Sequence, residues 1–483
     1  MTHGTRREFL LGTGSTLALA AAGPFARSSW YDELRIACVG LRGRGGDHIE
    51  GFRRLPGVRV VALVDVDRDV LGAAAKKFTD RGEAVATYAD LRHALEQKNI
   101  DAVSIATPNH WHALQGIWAC QAGKDVYVEK PVSHNVYEGA RLVAAARKYQ
   151  RIVQAGTQCR SSHGIAEGIA WLAAGNLGPI ELARGLCYKP RRSIGKVAAE
   201  QAVAESVDYD LWTGPAPKKP LRRKSLHYDW HWDFDTGNGD VGNQGIHQMD
   251  LARWALGETG LPRRTISVGG RLGYDDDGNT PNSQIVWHDY AKAPLVFEVR
   301  GLPRDTKAQG GDWNKGMDDF LGARIGVIVH CKGGTLRIPD YTRATAYDDK
   351  GKEIRRFAGA TDHYANFVAA VRSRKVEDLR ADIEQGHVSS ALCHLGNISH
   401  QLGVRQPQAA IEQALGKHAG AAEAATRLCA HLQNNGVDTT VAALHLGAEL
   451  TLDATTGAFV GNDAANALQT RDYRAGFTLP EIA

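Results

Sequence analysis

Two patterns of apolar residues divide this chain near residue 155. Before that point, short apolar runs alternate with segments in which apolar residues recur every three or four positions, as in buried strands and amphipathic helices. The predicted strands cover 34–39, 58–64, 102–106, 125–128 and 152–155, and the predicted helices cover 70–78, 90–97, 111–122 and 137–149. This alternation predicts an α/β domain built on a doubly wound parallel sheet with right-handed crossovers.

After about residue 160 the pattern becomes typical of an antiparallel sheet. A helix is predicted over 165–174, and two more, with apolar residues at helical spacing, over 364–371 and 388–402. Between them β-like runs and turns rich in Asp and Gly predict hairpins at 181–188, 265–272, 284–290, 295–300, 325–331 and 335–338. The second domain is therefore predicted to be α+β with a large, mainly antiparallel sheet. In the tail, helical stretches are expected at 409–415, 421–432 and 466–473, packed back on the body.

The first residues carry an export pattern. Arg6 and Arg7 precede a weakly apolar run that ends in three alanines at Ala22, which is typical of a twin-arginine signal with a small-residue cleavage site. The run is well short of the ~20 apolar residues that a membrane span needs. We expect a signal peptide over 1–22, a linker over 23–33, a nucleotide-binding domain over 34–155, a substrate-binding domain over 156–407 and a tail over 408–483. The expected location is the periplasm or the exterior.

Composition narrows the classes of function. The chain has 483 residues, 43% of them hydrophobic, which excludes a mainly disordered protein. With 58 Lys and Arg against 54 Asp and Glu, the net charge of +4 is too small to indicate nucleic-acid binding. The 7 cysteines form no close pairs, so neither a disulfide framework nor a zinc site is indicated, and no metal site is expected.

A glycine-rich turn follows the first predicted strand and precedes a helical pattern. Such a turn lets the backbone approach a pyrophosphate, and the helix N-terminus supplies amide donors. The match to Gly-x-Gly-x-x-Gly is imperfect, because Arg42 takes the place of the second glycine. Asp65 ends the second strand 25 residues after Gly40, near the position of the acid that binds the adenosine ribose. Asp65 favours NAD, Arg68 keeps NADP open, and the alternative for Asp65 is a strand-end turn residue.

Two further segments follow strands at the same edge of the predicted sheet, where ligands bind in such folds. They are 107–112 and Glu129-Lys130-Pro131. The candidate nucleotide-binding residues are Gly40, Arg42, Gly43, Arg44, Gly45, Gly46, Asp65, Thr107, Pro108, Asn109, His112, Glu129 and Lys130.

These segments resemble the Gfo/Idh/MocA superfamily, the relatives of glucose-fructose oxidoreductase and inositol dehydrogenase. The resemblance is carried by the glycine-rich turn 40–46, by 106–112, by Glu129-Lys130-Pro131 and by 156–158, and extends over about 34–407. The export pattern is similar to that of the secreted branch. The resemblance implies a Rossmann domain and places Lys130 beside the nicotinamide and the reacting sugar hydroxyl. A partly desolvated lysine there should have a lowered pKa and exchange a proton with an alcohol; the alternative is a surface lysine before a turn proline.

Residues 227–235 alternate His or Asp with aromatic residues. A period of two predicts an extended segment that presents two imidazoles and three carboxylates on one face. Three interpretations stay open: a sugar-binding face beside aromatic stacking surfaces, a solvated strand face, or a metal site, although extended spacing spreads the ligands too far apart. The candidate substrate-binding residues are His227, Tyr228, Trp230, His231 and Tyr188.

A glycine-rich stretch, 236–245, leads into a helix that carries His247. The resemblance implies an Asp-x-x-x-His pair here, with the histidine as proton acceptor, but this chain has Asn243 in the aspartate position. Asparagine can bind a sugar hydroxyl but cannot raise the histidine pKa. We expect His247 to act as acid and base, with Asn243 and Asp240 orienting hydroxyls. The basic loops 189–196 and 218–224 are interpreted as solvated loops rimming the site.

The sequence thus predicts an NAD(P)-dependent oxidoreductase that acts on a sugar or glycoside by hydride transfer. The expected cofactor is NAD, with NADP possible, bound non-covalently, tightly, and recycled in place. Two alternatives stay open: an NAD-dependent glycoside hydrolase or epimerase that works by transient oxidation, and a non-catalytic sugar-binding module. The expected partners are a small carbohydrate and further copies of the chain through the C-terminal sheet, with no nucleic acid and no membrane span.

Overall fold

Two sheets organise residues 33–453 and 456–482, the part of the chain that the computed structural model describes. The expected signal peptide, 1–22, and all but the last residue of the expected linker lie outside the described residues.

The first sheet has six parallel strands in the order β3-β2-β1-β4-β5-β6. Its strands are β1 (Leu34–Val39), β2 (Val58–Val64), β3 (Ala86–Tyr88), β4 (Ala102–Ile105), β5 (Asp125–Val128) and β6 (Val153–Ala155). Its helices are α1 (Arg44–Arg53), α2 (Arg68–Thr79), α3 (Leu91–Leu95), α4 (His112–Gln121) and α5 (Val136–Lys148). The predicted doubly wound domain is confirmed. The edge strand β3 was not predicted, because its residues are largely exposed and form no apolar run.

The second sheet has eleven strands in the order β14-β13-β12-β11-β7-β10-β9-β8-β16-β15, with β17 beside β8. They are β7 (Ile180–Tyr188), β8 (Arg264–Gly270), β9 (Ser283–Asp289), β10 (Leu295–Arg300), β11 (Ile325–Cys331), β12 (Gly334–Ile338), β13 (Arg343–Asp348), β14 (Glu353–Ala358), β15 (Val404–Gln406), β16 (Leu444–Leu446) and β17 (Leu450–Thr451). Strands β7 and β10 pair in parallel and the other paired strands are antiparallel, which confirms the predicted α+β domain.

Helices cover both faces of the second sheet. One face packs against α6 (His163–Ala173), α9 (Ile246–Leu256) and α13 (Ile383–Gln401) around Met249, Phe297 and Leu392. Helix α13 also contacts α5 and β6 of the first domain, so it joins the two domains side by side. The remaining helices are α7 (Tyr209–Thr213), α8 (Leu226–Asp229), α10 (Thr306–Gln309), α11 (Trp313–Gly316), α12 (His363–Ser373), α14 (Gln408–Leu415), α15 (Ala421–Asn434) and α16 (Asp463–Ala467).

The tail contacts both domains. Helices α14 and α15 lie on the second sheet over Trp287 and Val296, so one face of the sheet expected to form an oligomer is covered at these strands. Oligomer formation through this sheet stays a prediction. Farther along, α16 ends at Ala467, earlier than expected, and Phe477 packs against α4 beside Trp111 and Leu114. No helix in the described ranges is long and apolar enough to cross a bilayer. All seven cysteines are buried and unpaired.

Candidate functional site

A cavity of about 540 Å³ lies at the carboxyl ends of β1, β2, β4 and β5, and residues from 211–212 and 225–231 also line it. One end of it holds Asp65. The other end, which we call the His247 end, is formed by Lys130, Lys189, Asn243, Gln244, His247 and Tyr341. The predicted site residues that line the cavity are Gly40, Arg42, Gly43, Arg44, Asp65, Thr107, Pro108, His112, Glu129, Lys130, His227, Tyr228, Trp230, His231, Asn243 and His247.

The turn between β1 and α1 requires glycine at two places. Gly40 has φ of +75°, and a Cβ there would lie 2.7 Å from the backbone nitrogen of Thr107. A Cβ on Gly45 would lie 1.8 Å from the carbonyl oxygen of Gly40, so Gly45 serves packing and does not line the cavity. Gly43, just before α1, has no atom within 4 Å of its own Cβ position. This bare backbone at a helix N-terminus fits the pyrophosphate of a dinucleotide.

Asp65 is fixed by its own turn. Its carboxylate accepts hydrogen bonds from the backbone nitrogens of Leu41, at 2.9 Å, and Asp67, at 3.0 Å. Burial raises the pKa of Asp65, although these bonds act in the opposite direction. Arg68 does not line the cavity and donates to the carbonyl of Glu205 at 2.8 Å. The residues present therefore fit the free ribose hydroxyls of NAD better than a 2′-phosphate.

Glu129 is a structural acid beneath the reactive end. Its Oε1 accepts from Nε of Arg44 at 2.7 Å and lies 3.1 Å from Nε2 of His48, whose Nδ1 is 2.7 Å from Oγ of Ser104. Burial raises the pKa of Glu129, but the bond with His48 and the charge of Arg44 hold it well below its usual range. Glu129 is therefore ionised, and it accepts from the backbone nitrogen of Lys130 at 3.1 Å.

Lys130 bridges the two domains. Its Nζ donates to the carbonyl oxygen of Asn243, at 2.6 Å, in the π-helical turn Val241–Gly245 that precedes α9. Burial lowers the pKa of Lys130, and the cations Arg44 and Lys189 lower it further, against the charge of Glu129. The predicted lowering of this pKa thus agrees with the geometry of the site.

His247 is a buried, neutral imidazole. Burial and the charge of Lys130 lower the pKa of His247 to about 3. Its ring centre lies 5.2 Å from that of Tyr341, and its Nδ1 is buried without a hydrogen-bond partner among the described residues. A neutral histidine with an unused nitrogen can take a proton from a hydroxyl group that enters the cavity.

Three residues of the His247 end were not predicted. Nε2 of Gln244 donates to Oη of Tyr341 at 2.8 Å, and Nζ of Lys189 donates to Oε1 of Gln244 at 3.2 Å. Burial raises the pKa of Tyr341 to about 12, so its phenol keeps its proton. Tyr341 follows β12 without any local sequence signal. Lys189 was assigned to a solvated loop, yet it directly follows β7 and partly buries its side chain.

Gly46, like Gly45, does not line the cavity, and three further predicted site residues do not line it either. Asp240 is paired with Arg191, whose Nε and Nη2 approach its carboxylate at 2.8 and 2.6 Å, so the expected role in orienting hydroxyls is not supported. Tyr188 donates to Glu298 at 2.6 Å on the opposite face of the sheet, because strand residues alternate between faces. Asn109 donates to Oδ1 of Asn238. None of the three lines the cavity that Lys130 and His247 share.

The prediction of an extended segment over 227–235 is wrong. The chain forms α8 and then the 3₁₀ turn Trp230–Trp232. The prediction failed because the alternating residue types are not alternately buried and exposed, as they would be in a strand. In this helical arrangement His227 and His231, four residues apart, both reach the cavity. Nε2 of His227 is 2.8 Å from Asp67, and the His231 ring stacks on Trp230 with centres 3.6 Å apart. Within 33–453 and 456–482, no group of three His, Cys, Asp or Glu is placed to hold a metal ion.

Comparison with known proteins identifies the family. Residues 34–157 match the oxidoreductase family, NAD-binding Rossmann fold, and residues 180–285 match the C-terminal α/β domain of the same family. Both matched segments belong to the Gfo/Idh/MocA oxidoreductase superfamily, and the first domain is an NAD-binding Rossmann domain.

Curated relatives match over a short part of their length. A Streptomyces niveus protein named glycosyl hydrolase family 109 protein is 38% identical over 133 residues, 26% of this chain and 26% of that protein. A Saccharopolyspora erythraea protein of the same name is 32% identical over 126 residues, 25% of this chain and 28% of that protein. The chain spans about a quarter of the length of these relatives.

Solved structures share the fold over most of the chain. The WlbA dehydrogenase of Bordetella pertussis, solved with NADH and UDP-GlcNAcA, has a TM-score of 0.55 at 18% identity, covering 75% of this chain and 95% of that one. An oxidoreductase of Thermotoga maritima has a TM-score of 0.54 at 14% identity, covering 76% of this chain and 96% of that one. At these identities the likeness shows the fold alone.

Proposed function

We propose that the protein is an NAD-dependent oxidoreductase that acts on a sugar or glycoside by hydride transfer. The observation that carries the proposal is the convergence of Lys130 and His247, one from each domain, at the end of a cavity whose other end fits adenosine ribose. When bound, the nucleotide supplies a hydride acceptor and donor at the nicotinamide ring.

The side chains divide the proton chemistry between them. His247, neutral and with Nδ1 unpartnered among the described residues, takes the proton of the reacting hydroxyl. Lys130 donates a hydrogen bond to the same oxygen and stabilises the negative charge that develops on it. Asn243, beside them, has an amide that can donate to and accept from a neighbouring hydroxyl, which fixes the ring in place. Because Asn243 carries no charge, His247 stays uncharged and ready to accept.

A second candidate is a glycosidase that oxidises its substrate transiently, so that the hydride returns to the sugar after the glycosidic bond is cleaved. The name of the curated relatives, glycosyl hydrolase family 109 protein, favours it. It uses the same residues at the same end of the cavity and differs in having no net consumption of nucleotide.

We also propose that the protein is exported in folded form with its nucleotide bound. The twin arginines Arg6 and Arg7, followed by the apolar run to Ala22, support export. Contacts from both domains support tight retention, since the cavity is lined by residues from 211–212 and 225–231 as well as by the ends of the Rossmann strands. Assembly of several copies is part of this proposal, through strands of the second sheet that α14 and α15 leave uncovered.

The test starts from purified protein. Nucleotide released by denaturation is identified, and nitrophenyl glycosides are then supplied while reduced nicotinamide and phenol are followed together. We expect Lys130→Met and His247→Ala to lower turnover at least about a hundredfold, whereas the exposed residues in Lys77→Met and His93→Ala leave it unchanged. Net reduction of nucleotide indicates a dehydrogenase, and phenol release without it indicates the glycosidase. Bound NAD with neither signal would refute both, in favour of a non-catalytic sugar-binding module.

A further inference from the structure

Among the described residues, the His247 end of the cavity carries two cations and no available carboxylate. Lys130 and Lys189 both line it, and their charges are close enough that Lys189 lowers the pKa of Lys130. The acids beneath them are already paired, Glu129 with Arg44 and His48, and Asp240 with Arg191. Polar contacts offered here to a neutral sugar come from amides, an imidazole and a phenol.

The direction of Lys189 follows from strand β7. Cys187 faces the core under α9, and alternate residues beyond the end of the strand keep the same side. Arg191, four residues beyond Cys187, forms an ion pair with Asp240, which balances the charge of the arginine. Lys189, between them, donates from Nζ to the neutral amide oxygen of Gln244, at 3.2 Å. In residues 33–453 and 456–482 no carboxylate lies within 4.0 Å of its Nζ, the distance of an ion pair.

An ammonium group held this way has unused capacity. It has three N–H donors, of which Gln244 takes one. Its charge acts in a partly desolvated cavity, where Coulomb interactions are stronger than in water. A neutral sugar would leave that charge unbalanced, next to the second cation at Lys130.

We propose that the substrate is an anionic sugar, whose carboxylate or sulfate binds Lys189 while its reacting hydroxyl lies between Lys130 and His247. The inference rests on the proposed function and names its class of substrate. Lys189 is then a specificity-determining residue: it selects the anionic sugar at the binding step and takes no proton in the reaction.

The experiment uses matched neutral and anionic sugars with the nucleotide-loaded protein. The neutral nitrophenyl glucoside is compared with the anionic nitrophenyl glucuronide. The neutral nitrophenyl galactoside is compared with two anionic compounds, the galacturonide and the 6-sulfated galactoside. For each compound kcat and KM are measured at low and high salt. Dissociation constants for the same ligands, from tryptophan fluorescence, do not depend on turnover. We expect the anionic member to bind about tenfold to a hundredfold more tightly, with a preference that falls as salt rises. The carboxylate and sulfate arms identify which anion is preferred.

Variants assign the preference to one side chain. Lys189→Gln should bring the two members of each pair to within about threefold of each other in KM and Kd, and Lys189→Arg should keep part of the preference. The control is Lys196→Gln, in the same loop but exposed and paired with Asp275. Equal binding of both members by the wild-type protein, or a preference that survives Lys189→Gln, would overturn the inference. Turnover of neutral glycosides without anionic preference refutes this inference alone, and anionic preference without turnover refutes only the proposed function.

Discussion

The buried pair of Arg191 and Asp240 offers a direct test of whether Asp240 supports the structure or the chemistry. The side chain of Asp240 is 0% exposed and that of Arg191 8%, and two hydrogen bonds join them. Asp240→Asn removes the negative charge and leaves Arg191 uncompensated in the interior. Removing one partner of a buried ion pair costs about 3–5 kcal/mol. Because the amide oxygen of asparagine can still accept one hydrogen bond, we expect the free energy of unfolding to fall by about 3 kcal/mol.

Urea denaturation and steady-state kinetics decide the matter together. Asp240→Asn is compared with Arg191→Met and with the double variant, which we expect to be less destabilised than the sum of the single variants by about 2 kcal/mol. At a temperature where each variant is folded, kcat should stay within about threefold of the wild-type value, since Asp240 does not line the cavity. The exposed Asp275→Asn serves as control and should change stability by less than about 0.5 kcal/mol. Unchanged stability with a hundredfold fall in kcat would refute the structural assignment and restore the catalytic one.

Three further predictions concern the nucleotide turn, the ion pairs that the buried Glu298 forms with Arg184 and with Arg427 of α15, and the contact of the tail with α4. Gly40→Ala places a Cβ 2.7 Å from the backbone nitrogen of Thr107, so the purified protein should lose its bound nucleotide. In the control Gly46→Ala the nearest atom to the new Cβ is 3.9 Å away, and the nucleotide should be kept. A Gly40→Ala protein that purifies with a full complement of nucleotide would contradict this prediction. Burial raises the pKa of Glu298, but neighbouring guanidinium groups hold it at about 2, below its ordinary 4.5. The ionised Glu298 contributes about 3 kcal/mol to the free energy of unfolding, a contribution that is complete above pH 4.5 and is lost as the pH falls toward 2. Glu298→Gln should therefore be less stable than the wild-type protein by that amount at pH 7. An equally large difference between the two proteins' urea denaturation curves at pH 2 would contradict this prediction. Phe477→Ala, at a residue 6% exposed, should lower the free energy of unfolding by about 3 kcal/mol, while Val460→Ala, 60% exposed, should change it little in the same urea titration.

The first domain could be predicted because its strands are buried on both sides. Leu34–Val39 and Val58–Val64 form apolar runs for that reason, and Gly40 marks a turn that no other residue fits. Strand β14 could not be found in this way, because five of the six residues of Glu353–Ala358 are exposed and their pairing with β13 is set by backbone contacts far from any apolar pattern.

The candidate site was predicted where sequence neighbours act together and missed where the fold joins distant segments. Lys130 and His247 could each be predicted from the motif in which it lies. Their proximity could not, because it depends on the hydrogen bond between the domains from Lys130 to the carbonyl oxygen of Asn243. Tyr341 comes to the site from the loop after β12, which no local pattern indicates. The alternation of side chains along β7 could have shown that Lys189 and Tyr188 point to opposite faces of the sheet, so that only one of them can reach the cavity.

The residues after α16 have a consequence for how the protein is made. Ile482 belongs to the core of the first domain together with Ala381 and Ile383, and Phe477 covers Trp111 beside the nucleotide cavity. These groups leave the ribosome hundreds of residues after the strands on which they pack, so the early strands and α4 must wait with apolar surface uncovered. A nascent chain that ends after the first domain is therefore expected to need a chaperone, because Trp111, which lines the nucleotide cavity, stays uncovered until Phe477 has been made.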